Sequence, residues 1–254
     1  MKILTIASEK GGSGKTTTAH SVAYGLYDQG YRILIIDADA QASLSLLCGV
    51  DVEKIEKSPL LEVLTDEKSI EDVITPIKLG LDIIPSSMAL SVADMTLAGT
   101  MARETLLKNA LVPVSGEYDF CIIDTAPAFN IITLCALVAA DHVIVPTQLD
   151  LLSVQALLWL AKYTKSIKAR INTDMDITGL LITSYDKRST VHREVLPRVE
   201  SIADSLFDSR VFDTKIRKSV ATQKTQLALS DVYAADSTVS EDYTAFISEL
   251  MKLI

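Results

Sequence analysis

The chain has 254 residues, 48% hydrophobic and 22% charged, which reads as globular rather than disordered and leaves enough apolar side chain for a buried core. No apolar run approaches the roughly 20 residues that cross a bilayer, and Met1-Lys2 leads straight into an apolar strand with no cleavable signal pattern. The net charge of −9 excludes a protein that coats nucleic acid with its whole surface.

In chain order, Ile3-Leu4-Thr5-Ile6-Ala7 reads as a strand and runs into Glu9-Lys10-Gly11-Gly12-Ser13-Gly14-Lys15-Thr16-Thr17. An apolar strand, a glycine-rich turn, Lys-Thr and a helical segment are the parts of a P-loop. In such a loop the main-chain N–H groups of Gly11 through Thr17 cradle phosphate. The following helix aims its positive end at the same anion. Lys15 then reaches the β- and γ-phosphates of a nucleotide, and the Thr16 hydroxyl holds Mg2+.

The spacing predicts a helix over Thr16 to Asp28, with Ala19, Val22, Ala23, Leu26 and Tyr27 on one face and Gly30 ending it. Ile33-Leu34-Ile35-Ile36 is a continuous apolar run, as expected of a parallel strand covered on both faces, and it delivers Asp37 and Asp39 at its carboxyl end. Ser43 to Thr75 reads as helical and acidic. Leu81 to Pro85 is a short strand, with helical stretches from about Met88 and Met101. Phe120-Cys121-Ile122-Ile123 is another buried strand, carrying Asp124 at its end, and His142 to Pro146 is the next. A long helix is predicted over Leu151 to Arg170, a strand over Ile177 to Thr183, and a helix over Thr190 to Leu206. Val211-Phe212 is a candidate edge strand, and helices over Ile216 to Lys224 and Val239 to Leu253 close the chain. This alternation specifies the α/β class: a single-domain P-loop NTPase over residues 1–254, with a mostly parallel twisted sheet and helices on both faces.

A P-loop also needs a carboxylate near the metal and a group to orient the attacking water. Asp37, Asp39 and Asp124 leave buried strands at the same sheet edge as the loop. The P-loop itself departs from the ordinary pattern: Glu9 stands where glycine is usual, and a second lysine, Lys10, follows it. K-G-G-x-G-K-T-T resembles the deviant Walker A box of the ParA/MinD family of ATPases. Asp37-x-Asp39-x-Gln41 is similar to that family's switch box, and Asp124-Thr-Ala-Pro127 to its D-[TC]-P-P box, with Ala40 and Ala126 where prolines are common. Val143 to Gln148, Thr183 to Arg188 and Lys215 to Ser219 resemble further family segments in the same order, on the short, Soj-like branch.

The resemblance implies roles. Lys10 reaches the nucleotide of a partner subunit in an ATP-dependent homodimer, with Lys10, Lys15 and Asp39 as the catalytic set. Asp39 positions the hydrolytic water, Asp124 holds Mg2+ through a water with Asp37 near it, and the adenine lies by Tyr185. It further implies an ATP-dependent partitioning cycle: the dimer binds DNA without regard to sequence, and a ParB-type partner stimulates hydrolysis and release. The chain is then cytoplasmic, and nucleoid-associated when ATP-bound.

Charge distribution allows this. Trp159 to Lys224 carries 13 Lys and Arg against 8 Asp and Glu, leaving 11 basic against 25 acidic residues elsewhere. Arg217 and Lys218, then Lys215, Lys187 and Arg188, are the candidate DNA contacts. Lys162, Lys165 and Lys168 form a helical stripe that reads as solvated. The alternative is a MinD-like membrane-cycling ATPase, but the last 14 residues carry one lysine against three acids, a poor match to an anionic lipid surface. An iron–sulfur reductase sharing the same box would need exposed cysteines. Cys121 falls inside a predicted buried strand, and the three cysteines have no zinc spacing.

Overall fold

The computed structural model describes residues 1–218 and 238–254. The elements run β1 (Lys2–Ile6), α1 (Lys15–Asp28), β2 (Ile33–Ala38), α2 (Ser43–Leu47), α3 (Pro59–Leu64), β3 (Thr75–Lys78), β4 (Leu81–Ile84), α4 (Ala93–Thr96), α5 (Leu106–Ala110), β5 (Phe120–Thr125), α6 (Ile131–Ala139), β6 (His142–Thr147), α7 (Leu151–Arg170), β7 (Asp176–Tyr185), α8 (Thr190–Phe207), β8 (Val211–Arg217) and α9 (Thr238–Leu250). Among the described residues the strands form one eight-stranded sheet, β3-β4-β2-β5-β1-β6-β7-β8. Every pairing is parallel except β3 with β4. All residues of β2 and β5 are buried, as expected of parallel strands roofed on both faces. On one face, α1 and α9 pack over Leu4, Ile6, Ile33, Ile35 and Ile122. On the other, α3, α5 and α6 cover Leu34, Ile36, Cys121 and Ile123, while α7 and α8 cover Val143, Val145 and Ile182.

The parallel register sets the functional edge. Asp37 lies opposite Asp124 in the β2–β5 pair, and Asp124 lies opposite Ile6 in the β1–β5 pair. The two carboxylates and the start of the P-loop therefore emerge side by side.

Several expectations need correction. α1 is buried nearly all round, from Lys15 to Leu26, rather than on one face. The stretch after Ser43 holds only short helices, and Thr75 opens the antiparallel edge strand β3. α6 has no counterpart in the sequence reading, because eight of its nine residues are buried and it shows no polar face. The helix expected over Ile216 to Lys224 does not begin there: Ile216 and Arg217 belong to β8, and residues 219–224 lie outside the described residues.

The β8 edge is closed by α9. Glu249 accepts the N–H groups of Asp213 and Thr214 at 2.7 and 2.9 Å, and Asp242 accepts that of Arg217 at 2.8 Å. These carboxylates cap donors that an open sheet edge would otherwise present to another chain. Tyr243, Phe246, Ile247 and Leu250 of α9 are buried, and the Tyr243 hydroxyl lies 3.1 Å from Thr18 Oγ1 on α1. The apolar face of the C-terminal helix is thus occupied by its own fold rather than open to lipid.

Gly179 in β7 has no room for a side chain: an added Cβ would sit 2.5 Å from Phe212 Cε2. Gly179→Ala is expected to destabilise by about 1–3 kcal/mol, lowering the melting temperature by about 2–4 °C per kcal/mol. Phe212→Leu in the same chain should recover part of that loss. Unchanged melting of Gly179→Ala would contradict this packing.

Candidate nucleotide-binding site

β1 ends at Ile6, and the loop that follows turns through Gly12 (φ 74°) and Gly14 (φ 92°) before α1 begins at Lys15. Gly14 is the helix N-cap and offers no side-chain cap, so the first-turn N–H groups of α1 stay available to an anion. Ser13 is buried, and its hydroxyl has no hydrogen-bond partner among the described residues.

Lys15 turns into the loop and is only 6% exposed; its Nζ donates to the Lys10 carbonyl at 3.3 Å. Burial pulls its pKa below the ordinary lysine value, opposed by the charges of Asp124 and Asp39. The ammonium is thus buried in the loop on a carbonyl, with two carboxylates near it.

Asp124 is 1% exposed, and among the described residues neither carboxylate oxygen completes a hydrogen bond. Burial raises its pKa well above the ordinary value, and the neighbouring Asp37 raises it further. The Thr16 hydroxyl is near enough to favour the ionised form without forming a well-shaped bond. A buried carboxylate in this condition, beside a threonine hydroxyl, is a donor set for a small hard dication, so the residues fit Mg2+.

Asp37 is also fully buried, but both its oxygens are engaged. Oδ1 accepts the Asp39 N–H at 3.2 Å, and Oδ2 accepts the Ser45 N–H and hydroxyl at 2.8 and 2.7 Å. Ser45 Oγ in turn accepts the Ser86 N–H at 2.9 Å. Burial lifts the Asp37 pKa to about 6, with the Ser45 bonds pulling against it. Asp37 thus ties β2 to α2 and to the segment after β4, with both oxygens engaged within the chain. Asp39, one residue past β2, is half-buried, and its Oδ1 accepts the Gln41 N–H at 2.9 Å.

Lys10 behaves unlike Lys15. Its Nζ leaves the loop and donates to Gln148 Oε1 at 2.9 Å and to Asp150 Oδ2 at 2.5 Å. Asp150 is also the N-cap of α7, accepting the Ser153 N–H at 2.9 Å. Asp150 carries a local signal, an aspartate three residues before a serine at the start of a long helix. Its pairing with Lys10, 140 residues away, carries none.

Tyr185, Lys187, Arg188, Lys215, Arg217 and Lys218 line one groove of about 530 Å3 at the end of β7 and β8. Their charges are not equally open. Arg217 is ion-paired with Asp242 at 2.7 Å and Glu241 at 3.2 Å, and donates to the Thr238 carbonyl. This fastens the start of α9 to β8, so a DNA phosphate at Arg217 would compete with these contacts. Arg188 pairs with Asp186 in cis at 3.3 Å, and Lys215 lies 5.9 Å from the Tyr185 ring centroid. Lys187 and Lys218 are exposed at the rim. Cys48, Cys121 and Cys135 are buried, and burial pushes all three thiols up, Cys48 and Cys135 to about 12.

Residues 1–177 match a family model described as an AAA domain. The chain is 32% identical over 220 residues to the sporulation initiation inhibitor protein Soj of Bacillus subtilis, spanning 86% of this chain and 85% of that protein. It is 31% identical over 254 residues to the chromosome partitioning protein ParA of Myxococcus xanthus, spanning 99% and 88%. Among solved structures, cobyrinic acid a,c-diamide synthase from Mycobacterium smegmatis, with bound ATP analogue and magnesium, matches at TM-score 0.85 and 29% identity over 99% of this chain and 95% of that one.

Proposed function

The chain belongs to the AAA-domain family and is a P-loop ATPase of the ParA/Soj type, using ATP and Mg2+, and on that premise we propose that it runs a DNA-partitioning cycle. In this reading ATP bridges two copies of the chain, the dimer holds DNA through backbone phosphates, and a ParB-type partner triggers hydrolysis and release.

The observation that carries the reading is the divergence of the two lysines. Lys15 points into its own cradle, whereas Lys10 sits at the rim on side-chain partners it can exchange. A cation at the rim serves a nucleotide presented from outside, which is what a face-to-face dimer supplies.

We infer a division of labour among these residues that the geometry is consistent with. The N–H groups of Gly11 to Thr17 and the Lys15 ammonium bind the phosphate chain. Thr16 and Asp124 would hold Mg2+, whose charge offsets that of the phosphate oxygens when bound. Asp39 accepts a hydrogen bond from the attacking water and orients it. Tyr185 is the proposed neighbour of the adenine.

DNA binding is assigned to Lys187, Lys215 and Lys218, with Arg188 beside them. Neutralising phosphates makes such binding sequence-blind and weaker as salt rises. In mobility-shift titrations across salt concentrations, the wild type should bind unrelated duplexes equally with a nonhydrolysable ATP analogue and far more weakly with ADP or no nucleotide. Each of Lys187→Ala and Lys218→Ala should reduce the salt slope by about 1. Equal binding in all nucleotide states, or an unchanged slope in both variants, would count against the assignment.

A further inference from the structure

A phosphate cradle made of backbone N–H groups works only while its peptide planes face inward. In a trans peptide the carbonyl of one residue and the N–H of the next point in opposite directions. Whatever grips the carbonyl from outside therefore aims the N–H.

Two carbonyls of this loop are gripped by side chains from other strands. Gln148, directly after β6, donates from Nε2 to the Gly12 carbonyl at 2.9 Å. Thr183, near the end of β7, donates from Oγ1 to the Ser13 carbonyl at 2.8 Å and also approaches the Thr147 carbonyl at 3.3 Å. Thr183 is 5% exposed, and its Cγ2 would lie 3.4 Å from a Cβ placed on Gly14. Gln148 is half-buried and uses its other amide atom, Oε1, to accept from Lys10. The strand edge beside β1 thus holds the back of the loop at two successive peptides.

We propose that Gln148 and Thr183 are positioning residues for the nucleotide, fixing the Gly12–Ser13 and Ser13–Gly14 peptide planes so that the Ser13 and Gly14 N–H groups face the phosphates. The proposal rests on the assignment of Gly11 to Thr17 as the phosphate loop. Because the grip acts on the loop rather than on the γ-phosphate, it sets affinity for ATP and ADP alike. Loss of the grip raises KM and leaves kcat nearly untouched, the signature of uniform binding.

Thr183→Val keeps the shape against Gly14 and removes the donor, while Thr183→Ser keeps the donor. Gln148→Glu keeps an acceptor for Lys10 and removes the donor to Gly12. Binding of ADP and of a nonhydrolysable ATP analogue should weaken about tenfold in Thr183→Val and in Gln148→Glu. It should stay within about twofold of wild type in Thr183→Ser, with kcat within about twofold in both Thr183 variants. Gln148 is partly exposed, so its variant tests the idea even where the buried valine lowers stability. Wild-type affinity in both donor-less variants, alongside lost binding in Lys15→Ala, would overturn the positioning role. Equal weakening in Thr183→Val and Thr183→Ser would reduce Thr183 to a packing residue and overturn it as well. Wild-type affinity in Lys15→Ala itself would instead remove the phosphate-loop assignment beneath the proposal.

Discussion

Asp39→Ala is expected to lower ATP turnover by about 100- to 10,000-fold, the range for losing a group that orients or deprotonates a nucleophile, while ATP still binds. Three carboxylates stand at the carboxyl edge of β2 and β5, and their surroundings separate them. Asp37 has both oxygens taken by Ser45 and the Asp39 N–H, so it organises the loop. Asp124 is enclosed beside Lys15 with raised pKa and unsatisfied oxygens, the condition of a carboxylate awaiting a cation. Asp39 alone is half-buried past the strand end, with one oxygen on the Gln41 N–H. It can take a hydrogen bond from water without breaking an internal network. Phosphate release together with fluorescent-nucleotide binding would check this. A variant that binds ATP and turns it over at the wild-type rate would exclude Asp39 from the reaction.

Lys10→Ala should bind ATP with near wild-type affinity, fail to dimerise on ATP, and lose turnover. In the single chain Lys10 is held by Gln148 and Asp150, and Lys15 occupies the cradle without it. Burial pushes the Asp150 carboxyl upward, but the hydrogen bonds from Lys10 and Ser153 outweigh it, so its pKa lies below the ordinary value. The side chains of Lys10 and Asp150 remain 22% and 39% exposed, and ion pairs so placed contribute about 0–1 kcal/mol. In the proposed dimer Lys10 would exchange Gln148 and Asp150 for a triphosphate. On the proposed reading, removing Lys10 leaves Lys15 and the loop N–H groups in place and takes away only the cation meant for the second copy.

The fold was legible wherever a long or uniform hydrophobic pattern existed. Leu151–Arg170 is a helix over the expected residues, with Leu157, Leu160, Ala161, Thr164 and Ile167 recurring at helical spacing on its buried side. Ile33–Ile36 and Phe120–Ile123 form central strands because unbroken apolar runs of that length suit a sheet covered on both sides. Where pattern was weak, reading failed. β3 is four residues with Pro76 inside and alternate residues exposed, and α6 is apolar all round. Asp37 and Asp124 could be brought together from sequence because each ends a buried run, and parallel register did the rest. The hydrogen bonds from Gln148 to Gly12 and from Thr183 to Ser13 span 136 and 170 residues and have no local signature. For Arg217 the charge could be counted in the sequence, but its ion-pair partners lie 24 and 25 residues later on α9.

The central claim is that two copies clasp ATP between them, each lending Lys10 to the other. The most direct measurement is molar mass by light scattering on the eluting protein, for wild type and Lys10→Ala, with a nonhydrolysable ATP analogue, ADP or no nucleotide. The account predicts a doubled mass only for wild type with the analogue; a monomer mass for wild type in every nucleotide state, or doubling of Lys10→Ala with the analogue, would contradict it.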